Sequence, residues 1–191
     1  MALLCDGFAE KVGELFGGPT GIDGTIKQKY FGGIGAEENL GLLHDGLSKL
    51  YGQYDGHPII GDLLNSIARV EIDEECLIKL DWNPENVFLH DGKIHMHIDF
   101  EQAFIGTKTI LVGILLHNPI WPAYQLIGGL KNAGLIPVGF SDLRTYLCYS
   151  FATVVVDSIY RRGTIWEVER LETAFERYVT VRFNDIVAAH R

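Results

Sequence analysis

Three oxygen-bearing side chains, Asp81, Asn86 and Asp99, fall within one short stretch whose turn chemistry predicts that it folds back on itself. Residues 80–100 read LDWNPENVFLHDGKIHMHIDF, and Asp91-Gly92 separates two β-leaning runs, 86–90 and 93–98. A two-residue Asp-Gly loop favours a type I′ turn, whose twist matches that of its flanking strands. Such a loop sets a register in which His90 faces Lys93, Leu89 faces Ile94, Phe88 faces His95, Val87 faces Met96 and Asn86 faces His97. Paired residues share a face of the ladder, as do residues two apart on one strand. Val87, Leu89, Ile94, Met96 and Ile98 then form an apolar face for the core. Asn86, His97 and Asp99 take the other face, with the Asn86 and Asp99 backbones about 7–8 Å apart on the diagonal. Two short oxygen donors at that distance can converge on one hard cation. Asp81 enters five residues before Asn86, on a loop that Pro84 keeps out of regular structure.

Asp81-Trp82-Asn83-Pro84-Glu85-Asn86 followed by Ile98-Asp99-Phe100-Glu101 resembles the aminoglycoside phosphotransferase and choline kinase-like branch of the protein kinase-like superfamily. That branch commonly has Asp-x-x-Pro-x-Asn, and Asp-Phe/Trp-Glu where protein kinases have Asp-Phe-Gly. The resemblance implies an ATP- or GTP-dependent phosphotransferase moving a γ-phosphoryl group to a hydroxyl of a small molecule or protein. It assigns Asp81 the catalytic role of orienting the acceptor hydroxyl, and gives Asn86 and Asp99 the Mg²⁺ on the nucleotide phosphates. The fold it implies is α+β: a mostly helical kinase-like C-lobe over residues 35–191, with the hairpin at its catalytic loop. On the same resemblance, residues 1–34 would form a reduced N-terminal segment of helix, Gly-rich turn and hinge-like strand.

The chain departs from the family pattern at definite places. Lys79 stands where kinases usually have a His, two residues before the catalytic Asp. Only about 80 residues precede Asp81, and they contain no Val-Ala-x-Lys strand and no G-x-G-x-x-G cover for the phosphates. The glycine cluster GGPTGIDGT matches neither phosphate-loop pattern and reads as a turn. Four explanations stand open: a minimal N-lobe, a partner chain or second copy that completes the nucleotide site, a truncation, or phosphates held in a different way. The same absences define the alternative function, a catalytically lapsed kinase-like binding or regulatory module.

Other chemistries have weaker footing. His95-x-His97-x-Asp99 offers three ligand types on one strand, but Phe100 follows where a metallo-β-lactamase motif needs a His. No G-x-S-x-G elbow is present, and Cys5, Cys76 and Cys148 are isolated thiols without a CxxC pair, as expected for core residues in a reducing compartment. A formal charge of −9 argues against a nucleic-acid partner. The longest apolar run, 110–116, is too short for a membrane span, and the first residues lack a basic leader, so a cytoplasmic protein is expected.

Helical periodicity supplies the elements that must position these residues. Apolar stripes predict helices over 2–16, 37–54, 59–70, 109–117, 120–133, 141–162 and 165–189. Strands are expected over 25–31 and 76–80, the second leading directly into Asp81. Ile72 to Glu75 reads as an exposed turn. After Phe100 the family usually has an acidic residue that ties down the next helix. Here Gly106-Thr107-Lys108-Thr109 stands in its place, so that anchor is missing or replaced. Acidic residues on the C-terminal helices (Asp142, Glu167, Glu169 and Glu172) would favour a cationic acceptor.

Overall fold

The most apolar run of the chain forms the interior of a helix. Residues 110–116 are all buried, which is the signature of a helix surrounded on every side by protein. A computed structural model describes residues 33–72, 75–79, 84–90, 93–97, 103–117, 123–132, 143–160 and 168–190. Among them the order is α1 (Ala36–Gln53), α2 (Pro58–Ile67), β1 (Glu75–Ile78), a 3₁₀ turn (Pro84–Asn86), β2 (Val87–His90), β3 (Lys93–His97) and β4 (Phe104–Thr107). There follow α3 (Lys108–His117), α4 (Ala123–Asn132), α5 (Leu143–Tyr160), α6 (Val168–Phe175), a π-helical stretch (Glu176–Val181) and α7 (Arg182–His190). The described part is thus mostly helical, with two antiparallel strand pairs, β1–β4 and β2–β3, an α+β chain. Most of the 1–34 segment, with its expected helix and strand, lies outside the described residues, as does Cys5.

The central helix α3 packs most closely on α5, and one glycine sets that approach. A Cβ at Gly113 would lie 2.4 Å from the Tyr146 carbonyl oxygen, so only glycine lets the two backbones come this near. Leu111, Leu115, Leu147 and Phe151 close the seam, and Cys148 is buried there, its thiol pushed up by burial despite a hydrogen bond with Ser66. Around this pair lie α1, through Leu43, Leu47 and Leu50, and α2, through Ile60, Leu63 and Ile67. Cys76 is buried as well, so both described thiols occupy the core.

Local signals explain where α1 and α2 begin. The Gly35 amide donates to Glu38 Oε2 at 2.6 Å, and the Ala36 amide donates to Glu75 Oε1 at 2.9 Å. Two carboxylates therefore serve the free amides and the positive end of α1. The chain leaves α1 through left-handed backbone at Asp55 (φ 50°) and Gly56 (φ 74°). Helix α2 then starts with Pro58 in its first turn, and His57 Nδ1 accepts the Ile59 amide at 3.3 Å.

Three expectations are corrected. Glu75 belongs to β1 and not to an exposed turn, because its carboxylate is drawn to the start of α1. Residues Phe104–Thr107 form a strand that a sequence of mixed character did not announce. The last helical run is continuous but widens to π geometry over Glu176–Val181, which a simple periodic stripe does not distinguish from α.

Replacing Gly113 by Ala should destabilise the protein by about 1–3 kcal/mol, since the added methyl meets backbone that cannot swing aside. The control Gly41→Ala, on an open stretch of α1 with nothing within 4 Å, should be neutral or stabilising by under about 1 kcal/mol. Urea denaturation of the two variants checks the contrast.

Candidate functional site

The site is framed by two strand pairings. In the first, Glu75 faces Thr107, Cys76 faces Gly106, Leu77 faces Ile105 and Ile78 faces Phe104. The chain leaves this pair at Ile78, three residues before Asp81, and re-enters it at Phe104, five residues after Asp99. Exit and return are therefore at the same end of one small sheet. In the second pairing the hairpin closes at His90–Lys93 and opens at Val87–His97. Asn86 precedes the open end by one residue and Asp99 follows it by two. In sequence, the described strand ends thus stand within a few residues of each candidate residue.

Packing explains why the β1–β4 pair is rigid. Cys76, Ile78 and Ile105 are buried, and Gly106 makes room for Ile78, whose Cγ1 would lie 2.7 Å from a Cβ at that position. From the other side, Asn39 Nδ2 of α1 donates to the Ile105 carbonyl at 2.8 Å. Thr107, fully buried, accepts the Ile110 amide on Oγ1 at 3.4 Å, and so ties down the start of α3.

The hairpin register differs from the expected one. His90–Lys93 and Leu89–Ile94 pair as the Asp-Gly turn dictates, but Phe88 then faces Met96 and Val87 faces His97. The pairs Phe88–His95, Val87–Met96 and Asn86–His97 do not form. A bulge between the Phe88 and Leu89 steps leaves His95 as an extra residue of β3, and a one-residue slip resets strand alternation beyond it. Phe88, 47% exposed, lies off the core. The assignment of Asn86 and Asp99 to one face therefore cannot come from uniform alternation. Asn86 closes a 3₁₀ turn begun by Pro84, is half-buried and takes part in an interaction of its own. Asp81 and Asp99 lie outside the described residues.

Asn86 and Asp99 are hard oxygen donors of the kind Mg²⁺ selects. Among the described residues no group of three or more His, Cys, Asp or Glu side chains could hold a metal ion. On the C-terminal helices, Glu169 and Glu172 are exposed, and Glu172 Oε1 lies 3.5 Å from His57 Nε2. Asp142 and Glu167 lie outside the described residues. No helix among the described residues is long and apolar enough to cross a membrane.

No protein-family model matches the chain, and no curated protein or solved structure shows significant similarity to it.

Away from the hairpin, the structure reveals a buried polar centre that sequence reasoning missed. His117, the last residue of α3, stacks against Tyr178 (ring centroids 5.2 Å apart) and Phe151 (6.2 Å). Its Nε2 is sealed from solvent and has no hydrogen-bond partner among the described residues. Buried Arg182, which follows the π-helical stretch, donates from Nε to the Leu116 carbonyl. That carbonyl is one of those a helix C-terminus leaves open, and the cation also suits the negative end of the helix dipole. Burial, and then the neighbouring Arg182 charge, bring the His117 pKa from 6.5 down to about 4. No sequence signal distinguishes this histidine from a solvated one at a helix end.

Because the folded-state pKa of His117 lies below the unfolded value, its neutral form stabilises the fold fully above pH 6.5. That contribution fades as pH falls from 6.5 to about 4, where the unfolded chain takes up the proton first. The loss should approach about 3 kcal/mol. His117→Phe, which keeps the ring contacts and cannot titrate, should flatten the acid limb of a stability–pH curve over that window. An unchanged slope would exclude His117 as its source.

Proposed function

We propose that the protein is a Mg²⁺-dependent phosphotransferase that moves the γ-phosphoryl group of ATP or GTP to a hydroxyl, in the manner of the aminoglycoside phosphotransferase-like, kinase-like C-lobe it resembles. One observation carries the reading. The pairings of β1 with β4 and β2 with β3 end within a few residues, in sequence, of Asp81, Asn86 and Asp99, which supports the reading. These are the residues whose types and order suggested phosphoryl transfer.

Phosphoryl transfer asks a protein mainly for positioning and for charge to offset that developing on the phosphate oxygens. Asp81 orients the acceptor hydroxyl and accepts its proton as the new P–O bond forms and the bond from the γ-phosphorus to the departing nucleoside diphosphate breaks. Asn86, at the end of the Pro84 turn, with its amide oxygen, and Asp99, with its carboxylate, would hold the Mg²⁺, which would supply positive charge against that developing on the phosphate oxygens. Rigidity of the strand frame serves this chemistry, because positional errors of about 1 Å cost large factors in rate.

A second reading is supported by a specific feature of the sequence. No strand lysine and glycine-rich cover for the phosphates precedes Asp81, which favours a kinase-like module that binds but no longer catalyses. A partner chain or second copy that completes the nucleotide site would reconcile that absence with catalysis.

Asp81→Ala should lower ATP-dependent phosphate transfer by at least about 100-fold while leaving the melting temperature within a few degrees of wild type. Retained turnover removes Asp81 from the mechanism. A wild-type protein stabilised by Mg²⁺ and ATP in a thermal-shift assay, yet without turnover, supports the binding module instead.

A further inference from the structure

We propose that the C-terminal segment from the π-helical stretch through α7 is an acid-released latch, seated on the end of α3 and freed as one unit when His117 gains a proton. This inference is independent of the phosphotransfer reading. Several elements meet at the seat. Arg182, the first residue of α7, donates from Nε to the Leu116 carbonyl at the end of α3. His117, the next residue of α3, stacks on Tyr178 of the π-helical stretch with ring centroids 5.2 Å apart. From α5, Phe151 meets the imidazole at 6.2 Å and Phe175 of α6 at 5.7 Å. The apolar anchor of the terminal helix is small. Among the described side chains of α7, Arg182 and Ile186 are buried and Phe183 is partly buried against the core. Such a segment depends on its polar contact more than a core helix does, and can open below the level of global unfolding.

The groups around the imidazole decide what a proton does there. Its Nε2 is sealed from solvent and has no hydrogen-bond partner among the described residues. The charge that acts on it is Arg182, whose own charge Asp185 supports from the next turn of α7. On α6 and the π-helical stretch, Glu169, Arg170, Glu172, Glu176 and Arg177 are exposed, and Arg177 lies 5.3 Å over the Tyr178 ring. Asp157 of α5 sits six residues past Phe151, about 120° round the helix from it. On α4, which packs on α3 and α7, the charged residue is Lys131, exposed. A protonated His117 would therefore be a second buried cation beside Arg182, at a helix end whose carbonyl Arg182 already occupies. Opening returns both cations to water. The π-helical stretch is the hinge, since its widened turns interrupt the α ladder, while buried Leu171 and Phe175 keep α6 seated. Burial and Arg182 hold the folded imidazole near pKa 4 against 6.5 when free, so the opening constant rises about 100-fold from pH 7 to pH 4.

The test is hydrogen exchange, read by peptide on the full chain at pH 7 and pH 4 and corrected for the intrinsic pH dependence of exchange. Protection over 176–190 should fall by about 100-fold at pH 4, while α1 and α2 keep theirs to within about threefold. His117→Phe, which keeps the ring contacts and cannot titrate, should hold the protection of 176–190 nearly equal at the two pH values. Arg182→Met, which removes the bond to the Leu116 carbonyl, should loosen 176–190 already at pH 7 and leave a smaller further change at pH 4. Should His117→Phe not fold, His117→Gln carries the same comparison. Unchanged protection of 176–190 in the wild type at pH 4 overturns the latch. Equal loss in α1 and α2 also overturns it, by making His117 a contributor to global stability alone. Acid release that persists without the imidazole overturns it as well, by assigning the trigger to another group.

Discussion

The pairing of β1 with β4 is the constraint on which the rest of the candidate site depends. Four residues on each side, joined at Ile78–Phe104, close a long excursion of chain that contains the hairpin and every proposed site residue. A two-stranded ribbon is marginal by itself. This one is held because both its faces are used. Cys76, Ile78 and Ile105 are buried, while Glu75 and the Ile105 carbonyl bind the first turns of α1. Thr107 then passes the chain directly into α3, the most buried helix, so strand pair and core helix are one continuous rigid element. The hairpin can be mounted on such a base without a large core of its own.

Among the described residues, charged side chains are buried at two places. Around His117 and Arg182, burial favours the neutral imidazole and lowers the Arg182 pKa, with the Leu116 carbonyl as a partner for the guanidinium. The role there is helix termination inside a core. At the sheet end, Lys79 is buried as well and takes part in an interaction of its own.

Much of the frame was legible from spacing alone. The stripes in 37–54, 59–70, 109–117, 120–133 and 141–162 became α1 to α5, and the ends of α1 and α2 differ from the expected ones by a few residues, as expected where capping and not periodicity sets the boundary. Asp91-Gly92 marked the hairpin, and its first two pairs follow the turn. Beyond Leu89 the register failed, because a bulge is a local backbone choice with no pattern in residues 93–98 to announce it. Strand β4 escaped notice since FIGT owes its conformation to Cys76 and Ile78 across the ladder, not to its own propensity. The burial of Lys79 was likewise invisible: a lysine in sequence reads as surface. Of the site itself, Asn86 is seen at the end of its 3₁₀ turn, while the roles of Asp81 and Asp99 rest on residue order and on the strands beside them.

The central claim is that the open end of the hairpin holds a divalent cation on nucleotide phosphates. Paramagnetic Mn²⁺ added with ATP to the isotope-labelled protein tests it directly, since it broadens amide resonances within a limited radius. The account predicts selective, ATP-dependent loss of the Asn86, Val87 and His97 signals, reversed by excess Mg²⁺, with α5 signals unaffected. Broadening centred elsewhere, or none at these three residues, would contradict it.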